Sequence, residues 1–203
     1  LALAIEWIPP HEAMDTVLVS RGMDLNDPVN RGAREAAFMI DMEVRKTRRF
    51  EFLKATAKTG VPLRICGAGW ESQLYRFKNV TYDGAVEMTR MAELMRQSRL
   101  VLNTNGNFGA GSHERPFSAS LAGAATFSDL SRYYAQVFEP GANIELFHWK
   151  NLASGMERLQ ALAADPRRCF EYARSAKAVT LAGHTWDRQI DRILAAGEAV
   201  RTA

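Results

Sequence analysis

Apolar positions along this chain fall into short runs separated by stretches of helical spacing, with turn residues at most joints. "PLRIC" (62–66), "NVTYDG" (79–84), "RLVLNTN" (99–105), "AATFSD" (124–129) and "NIELF" (143–147) read as five strands. Between them, "AVEMTRMAELMRQS" carries Val86, Met91, Leu94 and Met95 at helical spacing, and "SASLAGA" reads as a short small-residue helix. A long helix is predicted from about Gly32 to Thr59, stopped by Gly60, and three more close the chain near 150–164, 166–181 and 185–200. The first thirty residues read differently. "LALAIEWI" is a strand-like run stopped by Pro9-Pro10, "DTVLVSRG" is a second, and "DLNDPVNRG" is a turn-rich connection.

Strands alternating with helices predict the doubly wound α/β class, a parallel sheet covered by helices. The runs "LVL" and "LRIC" suit strands buried on both faces. Ligands in such sheets sit beyond the carboxyl ends of the strands. Here those ends are Gly67–Trp70, Asp83–Val86 and Thr104–Phe117, expected to face one crevice.

Composition narrows this picture only slightly. At 203 residues and 47% apolar the chain can bury a core, and a net charge of +3 gives no ground for a nucleic-acid partner. The densest basic run, "RKTRR" (45–49), sits in the long helix among Glu43 and Glu51 and reads as a solvated face. Cys66 and Cys169 lack metal-ligand spacing, which points to reduced thiols, a cytoplasmic location and no metal site. No apolar run approaches ~18 residues, so no transmembrane segment is expected. "LALAIEWIPP" has neither an initiator Met nor a basic leader, and reads as a start inside a longer protein.

Two stretches carry chemistry. "ICGAGWES" places Gly67 and Gly69 after a strand, as in a dinucleotide fingerprint, with Asp83 ending the next strand where a ribose-binding acid would stand. Ser72 occupies the third glycine position and Trp70 lies inside the turn, so a close-approach turn accounts for both glycines equally well. The second stretch is "NGNFGAGSHERPFSASLAGA" (105–124). Gly106, Gly109 and Gly111 let backbone N–H groups approach a ligand, the following helix offers the positive end of its dipole, and Arg115 adds a fork of donors. That combination suits a pyrophosphate, with Glu114 directed to sugar hydroxyls and His113 to an oxygen or to acid/base work near neutral pH. The alternative is a plain helix start, with Ser112 as cap, Pro116 in the first turn and solvated charges. Phe117 and Leu121 are expected on the helix's core face. In "GHTWDRQIDRIL", Gly183 should stop one helix and Thr185 cap the next, with His184, Trp186 and Arg188 fixing their junction. No GxxxxGK[ST], GxSxG or DxD occurs, which excludes the Walker, hydrolase-elbow and two-aspartate metal-clamp signatures.

Taken in order, "LRICGAGW", "NVTYDGAV", "LVLNTN", "GSHERPFSASLAGA", "VFEPGANIELF" and "HTWDRQIDRIL" resemble the nucleotide-binding half of GT-B glycosyltransferases. Within them they resemble the group 1 proteins related to the spore-maturation protein CgeB. The likeness spans about residues 60–197. It implies a Rossmann-like donor domain at 56–203 and, at 1–55, a lead-in with a hinge and helix from a truncated acceptor domain. It also implies metal-independent transfer of a sugar, hexosyl-like, from a nucleoside-diphosphate donor to a saccharide, protein or lipid-linked acceptor, with no other cofactor.

Carried across by position, the resemblance puts Gly67, Gly69 and Trp70 beside the diphosphate and Gly84, Ala85 and Val86 at the base. Gly109, Gly111 and Ser112 line the diphosphate, Phe117 and Ser118 open the helix, and His113, Glu114 and Arg115 are the candidate catalytic residues. Retaining relatives often carry a pair of glutamates where this chain has Ala110 and Ser118, so the stereochemistry stays open and Glu114 is the candidate ribose contact. A complete two-domain enzyme needs roughly twice this length. Two other readings remain: a non-catalytic sugar-nucleotide-binding module, and a nicotinamide-dependent oxidoreductase built on Gly67, Gly69 and Asp83.

Overall fold

The computed structural model describes residues 10–106 and 110–202. It opens with helix α1 (Pro10–Ser20), where the pattern had suggested a strand in "DTVLVSRG". A short apolar run does not by itself distinguish strand from helix. Here the hydroxyls settle into helical bonds, Thr16 donating to the Glu12 carbonyl at 2.8 Å, and Ala13 is buried. "LALAIEWI" lies outside the described residues. A turn in which Val29 N–H donates to Asp27 Oδ1 leads into α2 (Arg31–Lys58), 28 residues ending just before Gly60 at φ 78°.

All five expected strands form. Strand β1 (Leu63–Cys66) leads through α3 (Glu71–Leu74) to β2 (Val80–Gly84), which lies parallel to it. Helix α4 (Met88–Gln97) then leads to β3 (Leu100–Asn103), α5 (Arg115–Ala122) to β4 (Ala125–Asp129), and α6 (Arg132–Val137) to β5 (Glu145–Phe147). These last three strands run parallel in the order β3-β4-β5, in step throughout, with Asn103 beside Ser128 and Asp129 beside Phe147. Helices α7 (Leu152–Ala163), α8 (Pro166–Gly183) and α9 (Trp186–Thr202) complete the chain. Parallel sheets flanked by helices make this an α/β, Rossmann-like fold.

The core explains the order of the elements. Phe52 of α2 stacks on Phe147 of β5 at 5.1 Å, Phe147 on Phe127 of β4 at 5.3 Å, and Trp149 meets Phe147 edge-on at 5.3 Å. The carboxyl-terminal turns of α2 therefore pack into this core. Leu102 packs both in this cluster and against Leu63 and Ile65, which joins the two sheets through side chains. On α5 the buried residues are Pro116, Ala119 and Ser120. Phe117 is half-buried as expected, but Leu121 is exposed, because α8 holds α5 through Ser120 Oγ and Thr180 Oγ1 at 2.7 Å and so fixes which stripe faces inward.

Helix α7 lies against β5 at Gly155, where an added Cβ would stand 2.7 Å from Phe147 Cβ. In an open helix Gly→Ala gains roughly 1 kcal/mol. Here the clash dominates, and Gly155→Ala is expected to lower unfolding stability by about 1–3 kcal/mol in urea. An unchanged or higher midpoint would show that Phe147 shifts without cost.

Candidate functional site

A cluster of buried polar residues gathers at the carboxyl ends of β3 and β4. Strand β3 ends in Asn103 and runs on through Thr104 and Asn105, all buried, and β4 ends in Ser128 and Asp129, also buried. Buried polar groups need partners, and the parallel register supplies them. Asn103 Nδ2 donates to Ser128 Oγ at 3.0 Å, and Asn105 N–H donates to Asp129 Oδ1 at 2.6 Å. The indole N–H of Trp149 donates to the other oxygen of Asp129 at 3.1 Å.

Helix α6 closes the arrangement from the side. Ser131 caps it, accepting from the Tyr133 and Tyr134 N–H groups, and donates its own proton to the Gly111 carbonyl at 2.6 Å. Asn105 Nδ2 donates to the same carbonyl at 2.9 Å. The fully buried Tyr134 hydroxyl accepts from His113 N–H at 2.9 Å and from Asn103 Nδ2 at 3.3 Å. Its single proton faces Asn105 Oδ1 at 3.3 Å and the His113 carbonyl at 3.4 Å. The two arms of the glycine loop are thus fastened to one another and to the sheet before any ligand arrives.

Electrostatics follow from this burial. Asp129 is pushed up from 3.8 to about 6 because a charge is costly away from water, although the Asn105 N–H, the Trp149 indole and the Arg48 charge pull the other way. Burial also raises Tyr134. His113 is lowered, first by burial and then by the Arg115 charge, with Arg49 and Arg45 adding to the effect and Glu114 opposing it. Its imidazole is therefore neutral at physiological pH, and one ring nitrogen can accept while the other donates.

The expected site residues divide into two groups. At the ends of β1 and β2, Gly67 (φ 122°), Gly69 (φ 88°) and Gly84 (φ 65°) adopt the left-handed region that favours glycine, and Gly67 N–H donates to the Gly84 carbonyl. The Trp70 indole covers Gly67, Ala85 is exposed, Val86 is half-buried, and Asp83 pairs with Arg64 at 3.3 Å. At the ends of β3 and β4, Gly111, Ser112, His113 and Arg115 are half-buried, whereas Glu114 and Ser118 are exposed. Arg115 Nη1 donates to Asn103 Oδ1 at 3.0 Å, which anchors the half-buried side chain at the sheet through one of its five donors. His113 Nδ1 is 4.0 Å from Glu114 Oε2. Gly109 lies outside the described residues.

Three expectations are corrected. Ser112 does not cap α5, since the helix begins three residues later at Arg115, with Glu114 at the cap position and no side-chain cap bond. The "RKTRR" run is a solvated face only at Lys46, Thr47 and Arg49, because Arg45 pairs with the buried Asp41 and Arg48 lies 5.3 Å over the Trp149 ring. At the α8–α9 junction, Thr185 Oγ1 accepts from Arg188 N–H and His184 stacks on Phe117 at 5.1 Å, but Trp186 is 79% exposed and fixes nothing there.

A family described as glycosyl transferase-like matches residues 45–195. The chain belongs to that family. The match takes in all five strands and begins at Arg45, inside α2. The fold is similar to that of TarM, with a TM-score of 0.58 and 14% identity over 70% of this chain and 30% of that one. It is likewise similar to sucrose-phosphate synthase from Thermosynechococcus elongatus, with a TM-score of 0.61 and 13% identity over 74% of this chain and 42% of that one. This glycosyl transferase-like chain thus spans less than half the length of either structure. No curated protein matches it in sequence. Among the described residues no cluster of three His, Cys, Asp or Glu side chains is placed to hold a metal ion, and no helix is long and apolar enough to cross a membrane.

Spacing along the chain does not mark Asn103, Asn105, Asp129 or Tyr134. The only signal was the polar ending of two otherwise apolar strands, "LVLNTN" and "ATFSD".

The Asp129 carboxyl has a measurable consequence. Because its pKa is raised in the folded state, the fold binds the proton more tightly than the unfolded chain does between about pH 4 and 6. Its stabilising contribution is complete below pH 4, falls as pH rises to about 6, and is level beyond. Across that window the wild-type stability relative to Asp129→Asn is expected to fall by about 2–3 kcal/mol in urea unfolding. A difference that stays constant with pH would mean that this carboxyl titrates normally.

Proposed function

We propose that this chain binds a nucleoside-diphosphate sugar and forms the donor half of a CgeB-like glycosyltransferase, which passes the sugar to a saccharide, protein or lipid-linked acceptor. The observation that carries the reading is the anchoring of Arg115. It stands at the start of α5, held by a fully buried asparagine, beside a glycine loop whose carbonyl at Gly111 is turned onto protein donors. Anchored cationic donors at a helix start suit a diphosphate, and they offset the charge that develops when the sugar leaves. In this reading the transfer is metal-independent, His113 and the exposed Glu114 meet sugar or ribose hydroxyls, and Gly84–Val86 meet the base. Residues 56–203 are the donor-binding unit and 1–55 its lead-in, with Phe52 of α2 built into the unit's core. Two free cysteines support a cytoplasmic setting.

The exposed Ser118 in the first turn of α5 favours a second reading, a module that binds the sugar nucleotide without turning it over. Transfer of the sugar, as distinct from its binding, separates the two.

The binding claim is tested by melting the chain with UDP, GDP, ADP, dTDP or NAD. One nucleoside diphosphate is expected to raise the melting temperature, at 100-fold excess over its Kd by the equivalent of about 2.7 kcal/mol, and NAD is not. Arg115→Gln should abolish most of that rise. No rise with any of the diphosphates would reject the donor-binding reading.

A further inference from the structure

The turn of α2 at residues 45–49 lies over the root of the glycine loop. A Cβ placed on Gly106 would be 3.7 Å from Arg45 Cγ. Three residues on, the Arg48 guanidinium rests on the ring of Trp149, whose indole N–H holds Asp129, and Asp129 in turn holds Asn105. This single helical turn is therefore fixed at both ends against the residues that shape the loop.

The charges of the run are not equally committed. Arg45 is paired with Asp41, whose side chain is 1% exposed, and Lys46 faces Glu43 at 3.5 Å. Arg48 is stacked on Trp149 and acts on Asp129. Arg49 is exposed and makes no ion pair among the described residues. It follows Arg45 by one helical turn, on the same face and about 6 Å along the axis. From there its charge reaches His113 together with that of Arg115, although the two arginines come from different elements.

We propose that Arg49 is a phosphate ligand of the donor site, carried beside the glycine loop by the Arg45–Gly106 contact and the Arg48–Trp149 contact, so that α2 supplies part of the diphosphate site. This rests on the donor-binding reading above and extends it to a residue outside the 56–203 unit. Two guanidinium groups from different helices suit a doubly charged group better than either alone, since each adds charge-assisted bonds with fork geometry. Arg45 is a positioning residue in this scheme, because its charge is already matched by Asp41.

The test uses whichever of UDP, GDP, ADP and dTDP stabilises the wild-type chain, titrated by calorimetry alongside its monophosphate and its nucleoside. Arg49→Gln is expected to weaken the diphosphate about ten-fold or more, to weaken the monophosphate less, and to leave the nucleoside unchanged. Arg49→Lys should recover part of the loss. Lys46→Gln, in the same run but turned away, should bind as wild type does. Being exposed, Arg49 can be replaced without altering the ligand-free melting temperature, which checks that the variant is folded. Arg49→Gln binding the diphosphate as tightly as wild type, while Arg115→Gln does not, would overturn the proposal and leave the donor reading standing. So would equal losses for diphosphate and nucleoside. Failure of the wild-type chain to bind any of the four would remove both.

Discussion

The carboxylate of Asp129, shut away from water at the end of β4, is bonded from two sides that otherwise have nothing in common. One oxygen takes the Asn105 N–H at the start of the glycine loop, and the other takes the indole of Trp149, the edge of the aromatic core. Burying an ionisable group is costly, and its raised pKa registers that cost. The cost is tolerable because the same group couples loop to core. With Asp129 in place, Asn105 can face both Gly111 and Tyr134, and Tyr134 can hold His113. The geometry of the candidate site is a chain of dependencies that begins at this carboxyl.

The fold was largely legible from local pattern. Five apolar runs between helical stretches give five parallel strands, and the stops at Gly60 and Gly183 mark real helix ends. The exceptions have physical causes. "DTVLVS" contains the same β-branched residues as a strand, and only its packing on α2 decides for helix. Leu121 has the right spacing from Phe117 for a core position, yet α8 turns another stripe inward through Ser120 and Thr180. Periodicity reports that a helix has an inner face, but the partner chooses which residues lie on it.

The site was legible in part. Glycines at the ends of β1 and β2 require left-handed backbone, as a close-approach turn does, and Arg115 is recognisable from its place before a small-residue helix. Tyr134 was not, because it lies 21 residues beyond the His113 it supports and reads as one aromatic among several. The acidic sequence neighbours of the basic run in α2 point to a solvated face. What gives it a different role is Trp149, about a hundred residues away. Long-range pairings of this kind leave no trace in spacing.

Helix α2 also has a mechanical character. Phe52 is locked in the aromatic stack, while Phe38, Met39, Ile40 and Met42 stand exposed toward the other end of the same rigid rod. Taking the stack as a pivot, Phe38 sits about 21 Å along the axis and Arg49 about 4–5 Å, from the helical rise of 1.5 Å per residue. A sideways displacement applied at the outer end arrives at Arg49 geared down roughly five-fold on those distances. On that ratio, an ångström at the amino-terminal end of α2, where α1 packs, corresponds to about two tenths at Arg49.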